Sequence, residues 1–265
     1  MNYGFINELK KFIEKASLNQ EVEKALEKYN KRKNGYSFNN NEHLQAIIYS
    51  LLSNLRPWKT IENKKNEIDE IFQKYDFDKL IKIDSDDLVK SIRDIKCGNI
   101  SIKKQMNELK DIIDVLKKIS SKCKYGTMDK YIKDHKHIKA GYPYYLAKEL
   151  ANDKNEYKLK NMGIVLVCEY FKNIGIDIAK PDAHLKRMFG KNILGYSERE
   201  EATPKEIIKK IKDIAENNNI SQIEVDVLLW LYCADGYGEI CTKKDPKCNE
   251  CVIKKYCNKN KPNVA

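Results

Sequence analysis

Four of the chain's eight cysteines crowd together near its end. They are Cys241, Cys248, Cys251 and Cys257, spaced C-x6-C-x2-C-x5-C. Four thiolates this close repel one another, and a bound metal centre removes that cost. Two centres suit four cysteine ligands: a structural zinc ion or an iron–sulfur cluster. Zinc sites usually pair their cysteines as C-x2-C twice. Here only one pair is that close and the outer spacings are six and five, which favours iron–sulfur. A disulfide framework is the weaker reading, because the leading segment MNYGFINELKKF lacks the basic-then-apolar pattern of an export signal. Cys97, Cys123, Cys168 and Cys233 are scattered, and His43, His135 and His137 show no ligand pattern.

A second constellation lies upstream. Leu159-Lys160-Asn161-Met162-Gly163 leads into the apolar stretch Ile164–Asn173, and then come Ala179-Lys180-Pro181-Asp182-Ala183-His184-Leu185-Lys186-Arg187. A tight turn between helices needs positive φ. Gly163 supplies it, and Asn161 tolerates it better than most residues. Such a turn aims backbone N–H groups and a helix N-terminus at a phosphate. That contact anchors a nucleic-acid backbone without reading its sequence. Asp182, after a proline and before an amphipathic helix, is a good N-cap.

The cysteine tail, ICTKKDPKCNECVIKKYCNK, resembles the terminal loop of the endonuclease III branch of the helix-hairpin-helix DNA glycosylases, at all four cysteine positions. The body resembles the same family, whose signature is a hairpin L-P-G-h-G, a helix, and an aspartate in D-x-H-h-x-R. The resemblance implies a 4Fe-4S cluster held by Cys241, Cys248, Cys251 and Cys257. Lys243, Lys244 and Lys247, between the first two cysteines, are then expected to approach DNA phosphates. Asn161, Met162, Gly163 and Val165 are expected to hold a phosphate. Asp182 takes the place of the catalytic aspartate, which stabilises the positive charge that base excision leaves on the sugar. His184 is structural or phosphate-facing, and Arg187 is counted with the DNA contacts. Leu44–Ile61 resembles the family's opening helix pair, whose turn faces DNA. Asn54, Leu55, Arg56 and Trp58 fall there, Trp58 also reading as a buried core aromatic. Tyr142, Tyr144 and Tyr145 either line a base pocket or simply pack.

One departure bears on mechanism. Bifunctional members carry a lysine two residues past the hairpin's last glycine, and its amine cleaves the strand through a Schiff base. Here that place is Val165, flanked by Ile164 and Leu166. The expected activity is therefore a monofunctional DNA glycosylase that uses Asp182 and water. Its expected partner is double-stranded DNA containing a damaged or mismatched base. The alternative is a DNA-structure-binding protein that kept the scaffold without efficient chemistry.

The elements that must position these residues are helical. Apolar residues recur at helix spacing: Phe5, Ile6, Leu9, Phe12 and Ile13; Leu44, Ile47, Ile48, Leu51 and Leu52; Met106, Leu109, Ile112, Ile113 and Leu116; Ile207, Ile208, Ile211 and Ile214. Thr203-Pro204-Lys205-Glu206 is a capping box with proline at the first helical position. Strand signals are nearly absent. About ten helices are expected on this period, followed by an irregular cysteine tail. The longest apolar run, near Met162–Phe171, is too short to span a bilayer. The composition excludes collagen-like and low-complexity classes and leaves a basic, globular, cytosolic chain, expected to be monomeric. It has 265 residues, with 50 Lys+Arg against 39 Asp+Glu, hence a formal charge of +11. That charge suits a polyanion, although solubility gains from it too. The expected class is all-α and two-lobed, the helix-hairpin-helix DNA glycosylase fold. A six-helix barrel domain would span 42–175, and an iron–sulfur cluster domain would join 1–41 to 176–265.

Overall fold

A computed structural model describes residues 3–54, 56–122 and 126–260. Leu55 and Cys123 lie outside the described residues. In chain order the helices are α1 (Phe5–Lys15), α2 (Asn19–Lys33), α3 (Asn40–Leu52), α4 (Trp58–Glu62), α5 (Lys65–Ile71), α6 (Phe77–Leu80), α7 (Ser85–Asp94) and α8 (Ile102–Asn107). They continue as α9 (Leu109–Lys122), α10 (Met128–Asp134), α11 (Lys136–Lys139), α12 (Pro143–Leu150), α13 (Ile164–Asn173), α14 (Ala183–Phe189), α15 (Pro204–Asn218) and α16 (Gln222–Cys233). The described residues contain no strand. They form more helices than the periodicity implies, because elements such as α4, α6 and α11 last one turn. One turn is too short to repeat an apolar stripe.

The chain divides into two compact units, residues 1–31 with 177–265 and residues 32–176. In the second, α3 is the central helix. Asn39 accepts from the Glu42 N–H and Glu42 accepts from the Asn39 N–H, so both orphan donors at its start are satisfied. Leu44, Ile47, Ile48, Leu51 and Leu52 are buried, and α13 and α10 pack on α3. Each such side chain contributes about 1.5–3 kcal/mol by leaving water.

Residues 32–41 count with this second unit, and a buried polar network shows why. Arg32 donates through Nε to the Ile174 carbonyl (2.7 Å) and pairs with Asp129. His43 Nε2 lies 3.3 Å from Asp129 Oδ1, and Nδ1 lies 2.7 Å from the Tyr170 hydroxyl. In a neutral imidazole protonated at Nε2, Nδ1 accepts from the Tyr170 hydroxyl and Nε2 faces the Asp129 carboxylate, without a well-formed hydrogen bond among the described residues. Burial pushes the His43 pKa down. Burial also pushes the Asp129 carboxyl up, but His43 and Arg32 outweigh it and hold that carboxyl below its ordinary range.

In the first unit α16 is apolar almost all round, as a central helix must be, and α1, α14 and α15 pack on it. Thr203 and Glu206 form the capping box of α15. By contrast, α2 buries no residue along its length.

Candidate functional site

The hairpin before α13 is tied to its own unit at three points. The Leu159 N–H donates to the Leu150 carbonyl (3.0 Å). Asn161 Nδ2 donates to the Lys104 carbonyl (3.1 Å) and to Glu108 Oε2 (2.9 Å). Lys158 Nζ donates to the carbonyls of Met162 (2.7 Å) and Ala151 (2.8 Å), with only 11% of its side chain exposed. Burial pushes its pKa down. Lys158 has no motif signature in the sequence. The only hint is a lysine directly before the hairpin's leucine.

Positive φ falls on Asn161 (57°). Gly163 instead has φ −75° and ψ 173°, so the expectation that Gly163 supplies the left-handed turn is corrected. Asparagine tolerates this region better than most residues, and here Lys104 and Glu108 hold its side-chain amide. Gly163 caps α13 and is exposed, and a Cβ there would meet no protein atom within 4 Å. The N–H groups of Gly163, Ile164 and Val165 make no hydrogen bond among the described residues. They therefore present the positive end of α13 to solvent.

Met162 contributes less than expected to such a site. Its side chain is fully buried, its N–H bonds the Leu159 carbonyl (3.2 Å) and its carbonyl takes Lys158. Val165 is half-buried and brings no nucleophile.

Asp182 is the N-cap of α14. Its Oδ1 accepts from the N–H groups of His184 (2.9 Å) and Leu185 (3.1 Å). The other oxygen carries no hydrogen bond among the described residues. One oxygen thus fixes the carboxylate and the second remains for a ligand. The segment leading to it is anchored on α16. Asp177 accepts from the Ile223 N–H (3.1 Å), and its carbonyl takes Gln222 Nε2 (2.9 Å). Burial pushes the neighbouring His184 pKa down, with Asp182 pulling it up. At the far end of α14, a Cβ on Gly190 would sit 1.9 Å from the Glu200 carbonyl oxygen, so only glycine fits that close approach.

The cysteine segment follows α16. Tyr232 donates its hydroxyl to Cys251 Sγ (3.2 Å) and accepts from the Val252 N–H (3.0 Å). Asn258 clamps the tail to the loop after α14, through its N–H to Ile193 (2.7 Å) and Nδ2 to Lys191 (2.7 Å). The Cys241 thiol is pulled down to about 7 by a hydrogen bond from Cys233 and by the Arg187 charge. Burial pushes Cys251 up, and Cys241 and Cys257 lie near enough to add to that. Cys248 is exposed.

Among the described residues no three His, Cys, Asp or Glu side chains are grouped as a metal site. Two buried atoms beside Cys241, Arg187 Nη1 and Thr242 Oγ1, have no hydrogen-bond partner among the described residues. Lys243 and Lys244 are exposed and make no ion pair among them, while Lys247 stands 3.8 Å from Glu239.

The two arginines expected to face DNA each bond a backbone carbonyl. Arg56 donates to the Gly98 carbonyl and its Nε is buried. Arg187 donates to the Cys241 carbonyl and so fixes the first cysteine. Each guanidinium thus has one hydrogen bond to its own chain, and both residues are half-buried. Trp58 is half-buried and packs edge-on against Tyr49, with centroids 6.3 Å apart. Asn54 is also half-buried.

Asn161, Met162, Gly163 and Val165 come together in one hairpin of the second unit. Asp182 and the cysteine segment belong to the first. The described residues form an all-α fold. Two solved structures share it, both from Methanocaldococcus jannaschii. One is an 8-oxoguanine glycosylase/lyase in complex with 15-mer DNA containing 8-oxoguanine. It matches with a TM-score of 0.58 at 13% identity, covering 86% of this chain and 95% of that one. The other, an 8-oxoguanine DNA glycosylase, matches with a TM-score of 0.52 at 16% identity, covering 86% and 92%. At these identities the likeness shows the fold. No protein-family model and no curated protein matches the chain.

Proposed function

We propose that the protein is a DNA glycosylase that flips a damaged or mismatched base from duplex DNA and hydrolyses its N-glycosidic bond. The observation that carries this reading is Asp182, held by one oxygen and open at the other, on a fold shared with a DNA-bound glycosylase. As the bond between C1′ and the base nitrogen breaks, the electron pair leaves with the base and positive charge develops on the sugar. The Asp182 carboxylate stabilises that charge and orients a water. The water oxygen bonds to C1′, its proton is lost, and the departing base gains one. An abasic site is the product. The free N–H groups of Gly163, Ile164 and Val165 hold a DNA phosphate without reading sequence. Lys243 and Lys244 add salt-sensitive phosphate contacts.

Val165 stands where a Schiff-base amine is needed, which supports a monofunctional reaction. One structural neighbour is named a glycosylase/lyase, so strand cleavage is a point to test. The neighbour's DNA makes 8-oxoguanine the first base to try.

Cys241, Cys248, Cys251 and Cys257 are the ligands we assign to a 4Fe-4S cluster. Support comes from their spacing, from the lowered Cys241 thiol, and from the two buried donors beside it, Arg187 Nη1 and Thr242 Oγ1. When bound, a cluster supplies a fixed four-point tether for the loop bearing Lys243 and Lys244.

The test is a panel of duplexes, each with one lesion or mismatch, incubated with protein and then treated with alkali. Strand breaks that appear only after alkali, at one lesion class, support the reading. Tight binding with no excision anywhere replaces it with the DNA-structure-binding alternative.

A further inference from the structure

A further surface lies outside the hairpin and the cysteine segment. At the corner between α11 and α12, Tyr142 is 51% exposed and Tyr145 is 42% exposed. Their rings are held in place. Tyr145 packs against Tyr142 with centroids 6.2 Å apart at 67°, against Tyr144 at 5.9 Å and 66°, and against His137 at 5.4 Å and 40°. Behind them Glu149 takes His137 (3.1 Å) and His135 (3.3 Å). His135 Nδ1 accepts from the His137 N–H (3.3 Å). That bond uses the Nδ1 lone pair, so the neutral ring carries its proton on Nε2, toward Glu149. A protonated Nε2 is a donor to the carboxylate and no metal ligand. The cluster is therefore a brace for the tyrosines.

The border of this surface is cationic. Lys136, Lys139 and Lys148 are all exposed. Burial lowers the His135 pKa, Glu149 opposes it, and His137 and Lys136 add to the lowering. Lys139 pairs with Asp134 (3.3 Å), whereas Lys136 and Lys148 make no ion pair among the described residues. The acidic groups present, Glu149 and Asp134, are both engaged.

We propose that this corner docks an unpaired, single-stranded segment of nucleic acid, with bases stacked on Tyr142 and Tyr145 and phosphates on Lys136, Lys139 and Lys148. Every base has a π-face, so braced aromatic rings bind strands with little regard to sequence. Charge complementarity favours a polyanion, and flat exposed rings favour nucleobases over an acidic peptide. The inference does not rest on excision by Asp182. A chain that excises nothing still binds single strands here.

The test is fluorescence anisotropy with a labelled oligothymidine and, separately, an undamaged blunt duplex, across a salt series. Replacing both tyrosines, Tyr142→Ala with Tyr145→Ala, is expected to weaken oligothymidine binding about tenfold or more. The Phe pair, Tyr142→Phe with Tyr145→Phe, is expected to restore it, and duplex binding to stay unchanged in both. Lys136→Gln, Lys139→Gln and Lys148→Gln together are expected to flatten the salt dependence. The inference is overturned if wild type fails to bind oligothymidine or if the Ala pair binds it normally. It is also overturned if both DNA forms lose affinity equally, or if polyglutamate competes as well as oligothymidine.

Discussion

The half-buried ammonium of Lys158 donates to the Met162 carbonyl at 2.7 Å, so the turn that presents Gly163 is closed from behind by a positive charge. A second bond to Ala151 (2.8 Å) ties the same group to the end of α12. The carbonyls that this lysine satisfies would otherwise point into a partly buried turn. Lys158→Met is expected to cost about 2 kcal/mol, the scale of hydrogen bonds to a charged group. It should also weaken duplex binding, because the N–H groups of α13 lose their fixed direction. Urea unfolding and anisotropy on a duplex measure the two effects. Unchanged values in both would remove the positioning role.

Substitutions at Asp182 separate its observed cap from its proposed chemistry. Asparagine caps helices as well as aspartate, so Asp182→Asn should leave unfolding within about 0.5 kcal/mol of wild type. Loss of the charge should slow excision by about 100-fold or more. Asp182→Ala should lose the cap as well, at about 1 kcal/mol. Equal excision by wild type and the Asn variant on every substrate would end the catalytic assignment.

Val165→Lys places an amine in the first turn of α13. Borohydride should then trap a covalent protein–DNA complex on an excised substrate, while wild type gives none. Efficient trapping by wild type would contradict the monofunctional reading.

The acid response of the second unit follows from His43 and Asp129. The folded His43 pKa lies below the ordinary 6.5, so the unfolded chain takes up the proton first. Stability present above about pH 6.5 is thus lost as pH falls below it. Asp129, also held low against an ordinary value of 3.8, extends the loss in the same direction below about pH 4. Thermal unfolding scanned from pH 7.5 down to pH 4 should show falling stability, and His43→Gln should flatten the upper part of that slope. A slope unchanged in the variant would place the titration elsewhere.

Anaerobically purified protein should be brown and contain iron if the four cysteines hold the cluster. Cys241→Ser should lose the colour and most of the iron. A colourless protein with one equivalent of zinc would replace the cluster with a structural ion.

Much of the helical framework was legible in the residues. The stripes in α1, α3, α9 and α15 mark real buried faces, and the Thr203–Glu206 capping box forms as its spacing implies. These are local features. A period of about 3.6 residues and a hydroxyl three positions before a carboxylate act within one or two turns of chain. Asp182 as a cap was readable for the same reason. The one-turn helices were not, since they have no period to display.

What the tertiary structure decided is where long side chains go. Arg56 and Arg187 have the charge and sequence setting of phosphate ligands. Each reaches a carbonyl far away in the chain, at Gly98 and Cys241 respectively. Lys158 looks like any surface lysine in a chain rich in lysine, until folding buries it behind the hairpin. The left-handed residue of the turn moved from Gly163 to Asn161, because Glu108 and Lys104 stand ready to take the asparagine amide. The sequence by itself determined an all-helical chain and the residue types at its hairpin, capping aspartate and cysteine loop. Which of its cations are exposed, and which are enclosed by their own backbone, depended on carbonyls brought near by packing, and no local pattern records those.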